Sequence, residues 1–176
     1  MTPDEQRLER LARTCGPRVL AYLARRASPH DAAADLFQQV LVTTWSRIAR
    51  VPDEDEAALC WMLATARRHL ANHHRAEHRR LSGTDRLRNT ITVSQPADPG
   101  DGQLLEAVDQ LPPDDLELVR LVYWDDLSTE QAGAVLGIHP ATARKRLQRA
   151  RSRLRQLLET APPLEGHARA VCPNPT

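Results

Sequence analysis

The residues best suited to chemistry in this sequence are hydrogen-bond donors concentrated between residues 140 and 158. Residues 144–155 contain seven Lys or Arg residues, and no acidic residue occurs from 140 to 158. Arginine and lysine can donate to the edge of guanine, glutamine can pair with adenine, and further arginines can bind phosphate. This stretch therefore predicts a surface that contacts both the bases and the backbone of a nucleic acid.

The spacing of apolar residues places these donors on one side of a helix. Ala143, Leu147, Ala150 and Leu154 recur at spacings of four, three and four residues, which is typical of a buried helical stripe. A rotation of about 100° per residue puts Lys145, Gln148, Arg149 and Ser152 opposite this stripe, with Arg144 on its flank. The predicted DNA-binding set of this helix is Thr142, Arg144, Lys145, Gln148 and Arg149.

The residues before this helix predict the element that positions it. Ser128 is a favourable N-cap, and Gln131 three residues later completes a capping box. Gly137 is suited to a left-handed helix stop, and Pro140 to the first position of the next helix. A solvated basic face on an ordinary helical hairpin is the alternative interpretation. The caps, the turn and the phased apolar stripe together favour a DNA-reading helix-turn-helix.

Four histidines between residues 69 and 78 are the other side chains in this sequence that could bind a ligand, in their case a metal ion. His69 and His73 are four residues apart, as are His74 and His78, so each pair could share a metal ion. The sequence contains no HExxH motif, and no third ligand is identifiable beyond Glu77. It also contains no nucleophile–base constellation or carboxylate pair at catalytic spacing. We therefore predict no metal site, no cofactor and no enzymatic activity.

The formal net charge of the 176-residue chain, +1, hides a strong segregation of charge. Residues 98–117 carry seven acids and no Lys or Arg, the reverse of residues 144–155. Electrostatic fields act within a Debye length of about 8–10 Å, so local patches matter more than the total. Cys15, Cys60 and Cys172 lie far apart without a CxxC pair, so neither a disulfide framework nor a zinc site is indicated.

The hydrophobic pattern predicts an all-α protein. The chain has only six aromatic residues, and no window shows sustained period-two alternation. Helices are expected over residues 4–27 with a break at Gly16-Pro17, over 31–49 with Asp31 as its cap, and over 57–80. Further helices are expected near 103–110 and over 112–124. The absence of a signal peptide and of an apolar run near 18 residues predicts a soluble cytoplasmic protein without a membrane partner.

The loss of periodicity between residues 81 and 102 predicts a boundary between two small helical domains. This stretch is rich in Gly, Pro, Ser and Asp, which is typical of a flexible linker. The predicted organisation is a domain over 1–80, a linker over 81–102, a second domain over 103–159 and a disordered tail over 160–176. We expect the two domains to fold as separate modules.

Two stretches resemble conserved regions of a small sigma-70 family initiation factor of the extracytoplasmic-function (ECF) type. DLFQQVLVTTW (35–45), followed by CWMLATARRHLANHHRAEHRR (60–80), looks like region 2. LPPDDLELVRLVYWDDLSTEQAGAVLGIHPATARKRLQRARSRLRQL (111–157) looks like region 4. The resemblance covers most of residues 10–158, and the first stretch is what separates this family from other helix-turn-helix proteins.

The resemblance implies a division of labour between the two regions. Region 2 would dock on the β′ clamp helices of core RNA polymerase through Asp35, Gln38 and Gln39, and the loop over 48–57 would hold a flipped-out base of the −10 element. The arginines implied to follow the −10 DNA are Arg67, Arg68, Arg75, Arg79 and Arg80. Region 4 would sit on the β-flap and read the −35 element through the set on the basic helix. Core polymerase and promoter DNA are the implied partners, and an anti-sigma factor stays open as a third.

A helix-turn-helix regulator with an N-terminal ligand sensor is the competing interpretation. A sensor domain needs a ligand pocket, whereas residues 67–80 supply a second basic surface and residues 31–49 a docking helix. These two features favour the sigma factor.

Overall fold

The computed structural model describes residues 2–29, 31–82 and 102–160, and these ranges contain eight α-helices, one short 3-10 helix and no strand. The first four α-helices are α1 (Pro3–Thr14), α2 (Gly16–Ala24), α3 (Ala32–Ser46) and α4 (Asp55–Ser82), with the 3-10 helix at Ile48–Arg50. The last four are α5 (Gly102–Asp109), α6 (Pro113–Tyr123), α7 (Thr129–Leu136) and α8 (Pro140–Thr160). The all-α prediction is confirmed. Most of the predicted linker and tail lies outside the described residues.

The predicted break between the first two helices is confirmed, and a close helix contact explains the glycine there. Helix α1 ends at Thr14, and Pro17 lies in the first turn of α2, where a missing N–H costs nothing. A Cβ atom on Gly16 would lie 3.2 Å from the ring of Phe37 on α3. Glycine therefore lets α2 approach α3 closely.

Helix α3 buries one face against the neighbouring helices. Leu36, Val40 and Thr44 are buried, and Ile48 in the 3-10 helix continues this face. Asp31 stands at the N-cap position but makes no side-chain capping bond. Its backbone is already helical, with φ −67° and ψ −20°, whereas a capping side chain requires an extended residue. The prediction of Asp31 as a cap is therefore wrong.

Helix α4 is the longest element and begins two residues earlier than expected. Its first turn contains Asp55 and Glu56, whose negative charges interact favourably with the partial positive charge of a helix N-terminus. Its buried side includes Leu59, Met62, Leu63, Ala66 and Leu70. Helices α2 and α3 pack along this side.

The helix-turn-helix forms through the predicted local interactions. The Ser128 N–H donates to Gln131 Oε1 at 2.8 Å, and the Gln131 N–H donates to Ser128 Oγ at 3.1 Å. Gly137 ends α7 with φ 69°, in the left-handed region that favours glycine. A Cβ atom on Gly133 would lie 3.2 Å from the Cβ of Ala143. Two small residues therefore allow α7 and α8 to pack closely.

The turn between α6 and α7 contains a left-handed residue that is not glycine. Asp126 has φ 52°, a conformation that costs an L-residue about 1–2 kcal/mol, although Asp tolerates it better than most. We expect Asp126→Gly to raise the free energy of unfolding by about 0.5–1 kcal/mol, since it relieves this strain at some entropic cost. Urea denaturation measures the change. Asp115→Gly within α6 is the control and should lower stability by about 1 kcal/mol. A loss of stability in Asp126→Gly would contradict the strain argument.

The two groups of helices, α1–α4 and α5–α8, pack against each other. The sequence predicts separately folded modules, whereas α7 packs against α4 and buried side chains of both groups form one continuous core. Buried polar contacts also cross between the groups, including an ion pair between Arg26 and Asp125 at 2.7 Å. The contact depends on residues about 100 positions apart, which the local sequence pattern cannot reveal.

Candidate nucleic-acid interface

The outward side of α8 presents a row of uncovered donors. Lys145, Gln148, Arg149 and Ser152 are exposed and line an open concavity of about 320 Å³. Ala143, Leu147 and Ala150 are buried on the opposite side, so the predicted orientation of the helix is confirmed. The side chains of Lys145, Gln148 and Arg149 make no hydrogen bond or ion pair with any other residue in the described ranges. Their donors are therefore available to an external acceptor.

The other cations of α8 differ, because acceptors within the protein hold several of them. Arg144 pairs with Glu130 at 3.1 Å, and Arg146 pairs with Asp114 at 3.5 Å. Arg151 donates to Tyr123 Oη at 2.6 Å, with its guanidinium 5.5 Å from the ring centre. Thr142 is exposed in the first turn. Of the predicted base readers, Arg144 alone has to leave an internal partner before it can contact DNA.

The N-terminus of α8 is capped by a residue that the sequence analysis missed. The Ala141 N–H donates to Nδ1 of His139 at 3.2 Å, and the His139 carbonyl accepts the first backbone bonds of the helix. Because Nδ1 accepts, the neutral imidazole carries its proton on Nε2. This leaves a ring donor at the end of the helix that enters the groove in helix-turn-helix proteins. Its position directly before Pro140 at the first helical position is the signal that could have identified it.

The second basic surface lies on the C-terminal half of α4. Arg68, Arg75 and Arg79 are exposed, and a rotation of about 100° per residue places all three within roughly 40° of one another. The row extends over about 16 Å of helix. Arg67 and Arg80 lie roughly 100–120° to either side, and Arg80 pairs with Glu77 at 2.7 Å. The structure therefore brings three of the five predicted arginines into one line and places two on its flanks.

Two of the four histidines on α4 form hydrogen bonds with residues outside this helix. Thr43 Oγ1 donates to the Gln39 carbonyl at 2.8 Å, so its oxygen accepts from His69 Nε2 at 2.9 Å. His73 Nε2 lies 2.9 Å from the Ser28 carbonyl and donates to it. Burial lowers the pKa of His69, and burial together with the neighbouring His73 lowers that of His74. In the described part of the chain, no group of three or more His, Cys, Asp or Glu could hold a metal ion.

The outward face of α3 combines polar and apolar side chains. Asp35, Gln38 and Gln39 are exposed, as predicted for a docking surface. Val42 is 68% exposed and Trp45 is 43% exposed on the same side of the helix. The apolar pattern of residues 31–49 predicts that Trp45 packs beside Leu36 and Val40. This prediction is wrong, because Trp45 lies roughly 140° from Val40 around the helix and is exposed. An exposed tryptophan beside a valine is typical of a protein contact.

The four consecutive acids at 53–56, which lead into the first turn of α4, are largely neutralised by arginines of the first two helices. Three of the four acids have an ion-pair partner: Asp53 with Arg7, Asp55 with Arg10, and Glu56 with Arg18. Arg7 also donates to the carbonyl oxygens of Ile48 at 3.2 Å and Val51 at 2.5 Å. The loop that the resemblance assigns to the −10 base is therefore braced from α1, and most of its negative charge is compensated.

These surfaces define a class of protein: a helix-turn-helix DNA-binding protein with a second basic helix and a helix whose polar and apolar side chains are exposed. Two protein-family models match consecutive parts of the chain. The model described as "Sigma-70 region 2" matches residues 11–80, and the model described as "Sigma-70, region 4" matches residues 101–154. No helix in the described ranges has the length and apolarity needed to cross a membrane.

Known sigma factors resemble the chain over most of its length. The RNA polymerase sigma factor CarQ of Myxococcus xanthus is 32% identical over 146 residues, covering 81% of this chain and 83% of CarQ. The RNA polymerase sigma-E factor of Streptomyces avermitilis is 32% identical over 143 residues, covering 78% and 77%. The ECF sigma factor EcfG of Rhodopseudomonas palustris is 29% identical over 146 residues, covering 81% and 80%.

Two solved structures share the fold. The sigma factor RpoE from Bartonella quintana, crystallised with the anti-sigma factor NepR, has a TM-score of 0.61 at 24% identity and covers 90% of this chain and 98% of its own. CnrH in complex with the cytosolic domain of CnrY has a TM-score of 0.60 at 18% identity, with coverages of 90% and 91%.

The chain belongs to the sigma-70 family, within its extracytoplasmic-function group. It is an RNA polymerase sigma factor, which binds core polymerase and promoter DNA and directs promoter-specific initiation of transcription. The alternative of a ligand sensor in the N-terminal half is not favoured, because region 2 accounts for residues 11–80.

Proposed function

We propose that three surfaces of this sigma factor divide the work of initiation. Asp35, Gln38 and Gln39 on α3, extended by Val42 and Trp45, dock on the clamp helices of the polymerase β′ subunit. The observation that carries this proposal is an exposed tryptophan on the same face as the polar residues, on a helix whose other side is buried. A protein partner that covers this face would remove apolar surface from water.

The basic surface of α4 is proposed to follow the −10 DNA. Arg68, Arg75 and Arg79 form its central line, since they share one side of the helix and their side chains are exposed. Arg67 and Arg80 lie on the flanks, where they reach phosphates on either side of this line. The adjoining loop over 48–57 holds the flipped-out base, with its backbone fixed by Arg7.

The outward face of α8 is proposed to read the −35 element while region 4 rests on the β-flap. Lys145, Gln148 and Arg149 meet base edges, because their donors have no acceptor elsewhere in the described ranges. Arg144 and Thr142 complete the contact from the first turn of the helix. Domain bounds of 1–80 and 103–159, separated by the segment 81–102, fit this division between a −10 and a −35 module.

The −35 assignment predicts different results for two arginines on α8. Arg149→Ala should lower −35-dependent transcription and relax preference at one or two adjacent base pairs, since a base contact is worth about 1–3 kcal/mol of discrimination. Arg153→Ala should do much less and change no preference, since Arg153 lies nearer the core side and contacts phosphate at most. Binding across a library of −35 variants at fixed salt separates the two results. An equal and uniform loss in both variants would contradict the proposed orientation in the groove.

The sigma factor is proposed to be non-catalytic and to act in the cytoplasm, where its polymerase works. Its surfaces bind and position DNA, and the chemistry of RNA synthesis belongs to the polymerase. Two structural neighbours were solved with bound partners: RpoE in complex with the anti-sigma factor NepR, and CnrH in complex with the cytosolic domain of CnrY. We propose that an anti-sigma factor is a third partner of this chain.

Run-off transcription tests the whole proposal. The purified chain is added to core polymerase and a pool of genomic promoter fragments, and transcripts are mapped to their start sites. We expect transcripts from a limited set of promoters that share −10 and −35 elements. The control carries Lys145→Ala, Gln148→Ala and Arg149→Ala together and should lose this set while still binding core polymerase. Transcripts that do not depend on the added chain would refute the assignment.

A further inference from the structure

His139 takes up the backbone donors at the N-terminus of α8. The Ala141 N–H donates to Nδ1 of the His139 ring at 3.2 Å. The N–H groups of Thr142 and Ala143 donate to the His139 carbonyl at 2.9 and 3.0 Å, and Pro140 has no N–H to donate. The first turn of α8 therefore keeps no backbone donor for an external anion.

This arrangement matters because helix N-termini commonly supply phosphate contacts in DNA-binding proteins. Their unpaired N–H groups and their partial positive charge favour an anion. Such contacts fix the protein on the duplex. In α8 the partial charge remains, but the amides of the first turn are satisfied within the protein. A phosphate at this end of the helix therefore needs a donor from a side chain.

His139 provides such a donor on the far side of its ring. Because Nδ1 accepts the Ala141 N–H, the neutral imidazole carries its proton on Nε2, which lies across the ring from the helix end. The His139 side chain is exposed, and Nε2 has no acceptor within the described ranges. The ring thus caps the helix with one nitrogen and offers an N–H to an external acceptor with the other.

The charges around this end of α8 favour a phosphate as that acceptor. No acidic residue occurs from 140 to 158. Glu130 and Asp114, which contact α8 from the preceding helices, are paired with Arg144 at 3.1 Å and Arg146 at 3.5 Å. An anion that approaches the His139 ring therefore meets a helix end whose neighbouring carboxylates are compensated.

The distance from the proposed base readers places His139 beside the DNA backbone. The centre of Lys145, Gln148 and Arg149 lies about eight residues beyond His139, or about 12 Å along the helix at 1.5 Å per residue. The major groove is about 12 Å wide, so its phosphates begin about 6 Å from the centre. A helix that crosses the groove with its readers at the centre brings His139 to the level of a flanking phosphate.

We propose that His139 binds a phosphate of the −35 DNA through its Nε2–H while Nδ1 of the same ring caps α8. This inference rests on the −35 role proposed above for α8. One side chain then fixes both the start of the recognition helix and its position on the duplex, since phosphate contacts set register without reading sequence. The contact is neutral, in contrast to the contacts that the arginines of this helix can make.

Two substitutions separate the functions of the two ring nitrogens. His139→Asn keeps an acceptor near the position of Nδ1, and Asn is a favoured N-cap, but its side chain is too short to replace Nε2. His139→Gln places an amide N–H near the position of Nε2, and Gln is not a favoured N-cap. We expect His139→Asn to keep its stability and to bind −35 DNA about 3–10-fold more weakly, which is the loss of one net hydrogen bond. His139→Gln should lose stability and keep more of the affinity.

Thermal denaturation of the full chain gives the order of stability. The order of affinity comes from titration of the holoenzyme, assembled from core polymerase and the full chain, onto promoter duplexes. The titration is performed at pH 8 and at a low temperature where every variant is folded and the duplex stays closed. Opposite orders of stability and affinity for the two variants would support the proposal. An affinity that follows stability alone, or a His139→Asn chain that binds as tightly as the unaltered chain, would overturn it.

The dependence of binding on sequence and salt identifies the contact. His139→Asn should weaken binding to every −35 variant alike, because a phosphate carries no sequence information. The slope of log affinity against log salt should stay unchanged, because a neutral donor releases no counterion, whereas loss of a cation–phosphate contact reduces the slope by about one unit. A loss confined to particular base pairs would indicate a base contact, and a reduced slope would indicate a charged ring. Either result would overturn the proposal.

The chain that carries Lys145→Ala, Gln148→Ala and Arg149→Ala keeps this inference separate from the proposed −35 role. If that chain loses −35 preference while His139→Asn binds as the unaltered chain does, the base-reading role stands and the phosphate contact is overturned. If the triple variant instead keeps the full −35 preference, the role of α8 fails and the His139 contact fails with it.

Discussion

Replacing Leu147 with alanine is expected to lower the free energy of unfolding by about 2–5 kcal/mol. Leu147 lies in the middle of α8 and is 3% exposed, between Ala143 and Ala150. Both of these neighbours are already small, so they cannot expand into the cavity that the substitution leaves. The loss therefore includes the transfer energy of the removed methyl groups and a cavity term.

Urea denaturation followed by circular dichroism measures this loss. Gln148→Ala is the matched control, because Gln148 is exposed on the same turn and its truncation should change stability by less than about 0.5 kcal/mol. Measurements of −35 preference in transcription should also distinguish the two variants, with the effect now expected in Gln148→Ala. At a temperature where both are folded, Gln148→Ala should alter −35 preference and Leu147→Ala should not. A stable Leu147→Ala variant with altered preference would contradict the assignment of Leu147 to the core.

The helix-turn-helix could be predicted from the sequence because its signals are local. The capping box of Ser128 and Gln131, the left-handed Gly137 and the first-turn Pro140 all act within a few residues of their position. Helical phase then decides which side of α8 is buried. Each of these rules applies before any tertiary contact forms, so sequence and structure agree here.

The packing of the two halves could not be predicted from the same rules. From the local sequence, Asp125 is expected to be a polar residue in a turn, and Arg25 and Arg26 are expected to end a helix. Their pairing depends on a contact between the residues that follow α2 and the turn after α6, about 100 residues further along the chain. The segment 81–102 has a composition typical of a linker, which describes the chain between two bodies but not whether the bodies touch.

The outward face of α3 could be predicted only in part. Its polar residues were predicted from the family resemblance, whereas Trp45 was predicted to pack beside Leu36 and Val40. Helical phase relative to the buried Val40 would have placed Trp45 outside. The error matters for function, since an exposed tryptophan changes a polar stripe into a surface with an apolar centre.

The largest effect on partner binding is therefore expected on α3. A chain carrying Asp35→Arg and Gln38→Arg should bind core polymerase more weakly, because two new cations and two lost acceptors oppose the docking surface. Trp45→Ala should weaken binding independently, since a tryptophan at the centre of an interface commonly contributes at least about 2 kcal/mol, or about 30-fold in affinity. The exposure of Trp45 in the free chain means that this truncation removes little packing within the fold.

Competition binding against a labelled reference sigma factor measures the affinity for core polymerase, and circular dichroism checks that each variant is folded. Glu9→Arg on the exposed side of α1 is the matched charge control and should bind as the unaltered chain does. Trp45→Ala should retain the helical signal and lose affinity, which separates docking from folding. Unchanged core affinity in the folded Asp35→Arg, Gln38→Arg chain would rule out α3 as the polymerase-binding surface. Unchanged affinity in Trp45→Ala alone would limit the contact to the polar residues, since the apolar centre would then contribute nothing to docking.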